Sequence, residues 1–336
     1  MKLFETIKSR IRIKAAKLSK RIAEIASLSV RSERAMAALE HSHGEMFRSI
    51  TETETVELSA NCTASCVIFS KDRPLQCWAL LESISLEFKT PPRIYLLFRG
   101  DIQDYEEIGA LSAQAGLTCE MIQEVNFRDQ LREILAKIQT SWTFFLVDDI
   151  VFTEPVDLTR LCCFDPYFFV PTLRMGLNLV RNYPSGGAPQ RQPVFSDDHL
   201  DRELVRWSWA GADGDWGYPL SVDGNLFATA EIRAMAGASS YAAPNSFEFS
   251  LQAFSHIFNR REGVCFRKSR LVNIPNNLVQ NEFHNRSAGG GATELLHAWR
   301  SGQKIDISPM SGLVNVSAHQ NIGFRMIPRQ PNQDRK

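Results

Sequence analysis

Trp142-Thr143-Phe144-Phe145-Leu146-Val147-Asp148-Asp149 decides the fold of this chain. Five apolar residues and one threonine run straight into two adjacent carboxylates. A short run this rich in aromatic and apolar side chains reads as a strand buried on both faces, and so as a central one. Two acids at the end of such a strand are costly to desolvate unless something pairs with them.

Toward the N-terminus the chain alternates strand and helix. Cys66-Val67-Ile68-Phe69-Ser70 is a β-rich run broken by Lys71-Asp72-Arg73-Pro74, and Pro74 suits the first turn of a helix. Leu75 to Phe88 has helical spacing, Arg93 to Phe98 is a second strand ended by Arg99-Gly100, and Asp104 to Ala115 is a helix. Leu117 to Ile122 is a third strand. Phe127 to Gln139 is a helix with apolar positions at Leu131, Ile134, Leu135 and Ile138. Short connections between alternating elements predict an α/β fold with a mostly parallel sheet covered by helices. Ligands bind such sheets beyond the carboxyl ends of the strands. Two of those ends are polar: Ser70 to Arg73 after the first strand, and Asp148-Asp149 after the fourth.

Mg²⁺ or Mn²⁺ is the natural partner of the carboxylate pair, because a hard cation takes few carboxylates and keeps positions open for phosphate oxygens. The bland alternative has Asp148 and Asp149 capping a turn or pairing with a surface arginine.

Toward the C-terminus, Tyr167 to Leu173 reads as a strand. A polar stretch with Pro184, Gly186, Gly187, Pro189 and Pro193 follows, and reads as a mobile loop over a cleft. Gly211 to Asn225 combines acids, glycines, a Trp and a Tyr, which suits sugar rings with their C–H patches and hydroxyls. Asp215, Trp216 and Asp223 are its sugar-contact candidates, and Asp223-Gly224-Asn225 also reads as a turn. Asn245-Ser246-Phe247-Glu248 reads as a helix start, since Asn and Ser cap well. Glu248 would then lie in the first turn, where the helix dipole alone favours an acid. Thr293 to Arg300 is a short helix, and residues 329–336 read as a disordered tail.

Taken together, Val67 to Leu75, Phe144 to Phe152, Gly214 to Asn225, Pro244 to Glu248 and Leu271 to Pro275 resemble GT-A fold glycosyltransferases, similar to the family-2-like bacterial enzymes. The resemblance covers roughly residues 64–325 and lies in the order and spacing of the pieces. It implies that Ser70, Asp72 and Arg73, with Arg99, contact the nucleotide. It implies that the aspartate motif, including Asp148, holds metal and diphosphate. The usual motif is D-x-D; here it is Asp148-Asp149-Ile150, and Asp149 is the favoured direct ligand. A histidine often completes the metal site from the C-terminal part, which points to His284 or His319. Glu248 would deprotonate the acceptor hydroxyl, with Asp223 as a second catalytic acid and Asp215, Trp216 and Asn225 on the substrate. The implied activity is metal-dependent, inverting transfer from a UDP- or GDP-sugar to a saccharide or glycolipid, in surface polysaccharide or glycolipid assembly. The alternatives are a nucleotidyltransferase, which would carry a glycine-rich phosphate loop that Ser70 to Pro74 lacks, and a non-catalytic sugar-binding or scaffold protein.

The 336 residues divide into a helix and linker at 1–58 and a transferase domain at 59–328, with a nucleotide-binding half at about 64–153 and an acceptor half at about 154–328. Leu3, Phe4, Ile7, Ile11, Ala15, Leu18, Ile22 and Ile25 line one face of the first helix, and basic residues take much of the rest. Such a helix suits peripheral contact with an anionic membrane surface, or packing on its own domain or a second subunit. The net charge of zero gives no electrostatic case for nucleic acid. No run of about 18 apolar residues spans a bilayer. There is no signal-peptide apolar core, and seven irregularly spaced cysteines form no disulfide framework. The expected location is cytoplasmic, with peripheral contact at the inner membrane face. Sequons occur at Asn61, Asn285 and Asn315.

Overall fold

A computed structural model describes residues 63–275 and 292–329. The expected N-terminal helix, His284, Asn285 and residues 330–336 lie outside the described residues. Within them, β1 (Ala64–Lys71), α1 (Pro74–Glu87), β2 (Arg93–Arg99), α2 (Ile102–Gln114), β3 (Cys119–Gln123), α3 (Phe127–Lys137) and β4 (Trp142–Val147) follow the expected alternation. Pro74 opens α1 at its first position. The Asp101 side chain accepts from Gln103 N to cap α2, and Asn126 accepts from Asp129 N to cap α3.

Period-2 alternation sorts two cores onto opposite faces of this sheet. Cys66, Ile68, Ile94, Leu96, Phe98, Phe144 and Leu146 join α1 in one buried cluster. Phe69 and Phe145, one residue out of phase, stack with ring centroids 5.7 Å apart and meet Phe127 of α3 and Phe247. β4 is therefore buried on both faces, as its apolar run requires.

The second half of the chain completes this sheet and adds another. β5 (Ile150–Phe152), β6 (Phe169–Thr172), β7 (Arg181–Asn182), β8 (Ala188–Pro189), β9 (Ser196–Asp197), β10 (Leu204–Ser208) and β11 (Leu226–Ala228) come first. Then come α4 (Thr229–Ala238), α5 (Pro244–Leu251), β12 (Glu262–Phe266), β13 (Leu271–Asn273), α6 (Ala292–Arg300), β14 (Gln303–Ile305) and β15 (Met326–Pro328). The central sheet has the order β11-β4-β1-β2-β3, parallel except for β11, which runs antiparallel to β4. A second sheet has the order β6-β12-β10-β9, and β13 pairs antiparallel with β5.

Two expectations change here. The stretch after β6 is not a single loop over a cleft. β7 and β8 form a hairpin, β9 and β10 enter the second sheet, and Trp207 of β10 and the nearby Trp209 are buried. Polar, proline-rich spacing hid these short strands because each pairs through only two to five residues. Neither Asn245 nor Ser246 is the N-cap residue of α5, though Ser246 caps from inside the first turn. The helix begins at Pro244 after Ala243, and Ser246, in its first turn, accepts from Ala243 N at 3.0 Å. Glu248 consequently sits in the second turn, beyond the reach of a first-turn dipole effect.

A buried ion pair staples α4 to the second sheet. Arg261 donates to both Glu231 oxygens at 2.8 and 2.6 Å and to the Pro166 carbonyl at 2.7 Å. Glu231 is 1% exposed. Glu231→Ala would strand a buried guanidinium, which costs about 3–5 kcal/mol. Thermal unfolding is expected at a markedly lower temperature than wild type; an unchanged midpoint would show that the pair contributes nothing. No helix among the described residues is long and apolar enough to cross a membrane.

Candidate functional site

Register brings the two polar strand ends together. Phe69 of β1 lies opposite Val147 of β4, so the next residues, Ser70 and Asp148, emerge side by side. Ser70 Oγ donates to Asp148 Oδ2 at 2.8 Å, and Lys71 N donates to the same oxygen at 3.2 Å. Arg73 Nη1 donates to Asp148 Oδ1 at 2.9 Å and to Asp149 Oδ2 at 3.2 Å. Asn273 Nδ2 takes Asp149 Oδ1 at 2.9 Å. The Tyr105 hydroxyl lies 2.7 Å from Ser70 Oγ. With the Ser70 proton given to Asp148, Tyr105 donates to Ser70, and its oxygen accepts from Arg73 N at 3.4 Å. The β1–α1 turn is tight: Asp72 has φ +54°, the one non-glycine residue with positive φ among the described residues.

A second group converges from the later half. Gly224, at φ +86°, threads between Phe145 and Leu173, donating to the first carbonyl and accepting from the second amide. The positive φ strains any residue with a β-carbon, which would also lie 2.8 Å from the Leu271 side chain, so glycine suits the position. This fixes Asp223, whose Oδ2 is 3.3 Å from His319 Nε2. Asn273 links the groups: its side chain holds Asp149, while its backbone pairs with the Ala318–Gln320 segment that carries His319. Glu248 Oε1 accepts from Val222 N at 3.2 Å, which anchors α5 to the loop bearing Asp223. Arg174, 4% exposed, is ion-paired with Asp215.

The electrostatics show a surplus of negative charge. Burial, opposed by Arg73 and reinforced by Asp148 and Asp223, pushes the Asp149 carboxyl up to about 6. Burial and the charge of Asp223, against the pull of Arg174, push Glu248 up to about 7. Burial would raise Asp223 too, but the hydrogen bond and charge of His319 and the charge of Arg174 hold it below its ordinary value. Burial would lower the Arg73 guanidinium, but Asp148 and Asp149 hold it above.

That surplus is the chemistry a divalent cation suits. No group of three or more His, Cys, Asp or Glu side chains converges on a metal position among the described residues. A hard cation in a phosphate site needs only one or two carboxylates, with phosphate and water supplying the rest. Asp149 is the better placed of the pair: its Oδ2 is held only by the longer arm of Arg73, whereas both Asp148 oxygens are closely bonded. The residues fit such an ion.

No protein-family model and no curated protein matches the sequence. Among solved structures, the chain is similar to Staphylococcus aureus TarS 1–349 in complex with UDP, at 13% identity and a TM-score of 0.41, over 62% of this chain and 59% of that one. A longer S. aureus TarS matches at 12% identity and a TM-score of 0.40, over 61% of this chain and 35% of that one. The glycosyltransferase GlyE of Streptococcus pneumoniae TIGR4 matches at 13% identity and a TM-score of 0.30, over 71% of this chain and 64% of that one. The chain thus spans between about a third and two thirds of these structures.

Of the residues singled out from sequence, Ser70, Arg73, Asp148, Asp149, Asp223, Glu248 and His319 fall in one connected region. Asp72 and Arg99 sit at its exposed edge, where Asp72 N donates to Arg99 O at 2.8 Å. Arg73 is not free for a base or ribose, because its guanidinium is spent on the two aspartates. Three substrate-contact expectations are corrected. Trp216 is fully buried, edge-on to Phe195 and Trp207, and offers no face to a sugar. Asp215 is buried on Arg174 and Asn182. Asn225 is buried with Nδ2 on the Pro219 carbonyl. Around Trp216 and Asn225 the density marked packing, while Gly211, Asp213 and Gly214 of the same stretch are exposed. Asn315 is also fully buried, so its sequon is closed to modification. Sequence reasoning missed Tyr105, Arg174 and Asn273. A lone arginine in Thr172-Leu173-Arg174-Met175 was the signal for the second, since an apolar strand end seldom spends a charge without a partner.

Proposed function

We propose that this chain transfers a sugar from a nucleotide diphospho-sugar to an acceptor hydroxyl, inverting the anomeric centre, with saccharide or glycolipid as acceptor. The observation that carries the reading is the junction of Asp148-Asp149, Arg73 and Ser70 at the carboxyl ends of β1 and β4 with the Asp223, His319 and Glu248 group. It joins an arginine-bridged carboxylate pair to a carboxyl whose pKa is pushed up to about 7. Ser70 and the exposed Asp72 and Arg99 would receive the nucleotide end of the donor. Asp149, with Asp148 and His319 beside it, would hold Mn²⁺ or Mg²⁺, whose charge stabilises a departing diphosphate. Glu248 takes the proton of the acceptor hydroxyl as that oxygen attacks the anomeric carbon and the bond to the diphosphate breaks. A base with a pKa near the working pH suits this transfer. Asp223 holds Glu248 high and His319 in place.

The test is a thermal-shift screen of UDP-, GDP- and CMP-sugars with and without Mn²⁺, followed by a transfer assay. A true donor present at about a hundred times its Kd stabilises the fold by about 2.7 kcal/mol. A flat screen, with no hydrolysis or transfer from any donor, removes the proposal and favours a non-catalytic binding protein.

A further inference from the structure

Arg73 stands where a cation is wanted. One nitrogen, Nη1, bridges Asp148 Oδ1 and Asp149 Oδ2. The residue is 8% exposed, and its backbone is pinned between the left-handed turn at Asp72 and the first turn of α1 at Pro74. The other two carboxylate oxygens are held by Ser70 and Lys71 N on one acid and by Asn273 on the other. Arg73 Nε is buried with no hydrogen-bond partner. The guanidinium is therefore locked onto the acids yet keeps an unmet donor.

A divalent ion approaching Asp148 and Asp149 alone meets this fixed positive charge within hydrogen-bond reach of both. Buried like charges at that range repel strongly. A diphosphate reverses the balance, since its charge offsets both cations. We propose that Arg73 is an internal counter-cation that keeps free divalent metal off Asp148 and Asp149 until a nucleoside diphosphate arrives. This inference rests on the nucleotide-sugar reading. The result is an ordered site, in which metal and nucleotide bind as a coupled pair and each tightens the other by the same factor.

The test is Mn²⁺ binding by the full chain, read from the electron-spin resonance of free Mn²⁺, alone and with saturating UDP or GDP. Wild type is expected to bind Mn²⁺ at least about tenfold more tightly with one of these nucleotides than without. Arg73→Gln, which removes the charge, is expected to bind Mn²⁺ alone at least about tenfold more tightly than wild type and to lose most of the gain from nucleotide. Arg73→Lys keeps the charge and should stay close to wild type without nucleotide. A permanent structural ion pair would not raise metal affinity on removal. A folded Arg73→Gln chain with wild-type Mn²⁺ affinity overturns the proposal. If that variant fails to fold, wild type decides: binding a nucleoside diphosphate with no gain in Mn²⁺ affinity overturns the counter-cation role and leaves the donor reading standing. A chain that binds no nucleoside diphosphate removes the donor reading itself, and the proposal with it.

Discussion

Glu248→Gln is expected to lower the rate of transfer by about three orders of magnitude, within the range general bases contribute. The change keeps the shape of the side chain and removes only its ability to take a proton. The wild-type rate should rise with pH through about 7, as Glu248 loses its proton. Burial sets this titration first, followed by the charges of Asp223 and Arg174 and by hydrogen bonds from Val222 N and the Ser221 side chain. The variant's residual activity should lack that limb. Stability should move the other way. A carboxyl whose folded pKa lies above its unfolded value binds more protons in the fold, so stability falls as pH rises from about 4.5 to about 7. Glutamine does not titrate, so the variant should be more stable than wild type at pH 8, by on the order of 2 kcal/mol, with the gap closing toward pH 4. Matched thermal melts and initial rates across pH 5 to 9 check both halves. A variant that retains wild-type kcat rules out Glu248 as the base.

Asp149→Ala is the second large effect. It removes the carboxylate best placed for a cation and leaves Arg73 opposed to Asp148 alone. Transfer is expected to fall by at least about a thousandfold, since metal-held charge stabilisation contributes several kcal/mol to the transition state. Stimulation by Mn²⁺ should vanish with it. Loss of a buried, partly uncompensated acid should not unfold the domain, so the melting temperature serves as the control. Full activity in this variant would falsify the metal assignment.

What the sequence showed and what it hid follow from range. The parallel sheet was legible because β1, β2 and β4 are nearly continuous apolar runs and turn residues such as Pro74 and Gly100 separate strand from helix. The meeting of Ser70 with Asp148 was legible too, because adjacent strand ends of an alternating α/β array must lie together. Arg73 between the aspartates was not, because that pairing depends on a tight turn at Asp72. The fate of Trp216 was hidden for a similar reason. A tryptophan among glycines and acids has the composition of a sugar platform, and only Phe195 and Trp207, nine to twenty-one residues away, reveal it as core. Short strands of two or three residues such as β7, β8 and β11 carry too few side chains to declare a period.

β11 also bears on how the molecule is made. It closes the outer side of β4 at Phe144, Thr143 and Trp142, some eighty residues later in the chain. While the polypeptide emerges from the ribosome, the first four strands can assemble before that partner exists. Through that interval the strand Trp142–Val147 presents an open, apolar ladder edge, the kind that pairs with neighbouring chains. A fragment that stops near residue 153 should accordingly aggregate, and its solubility should return only when the chain extends past Ala228.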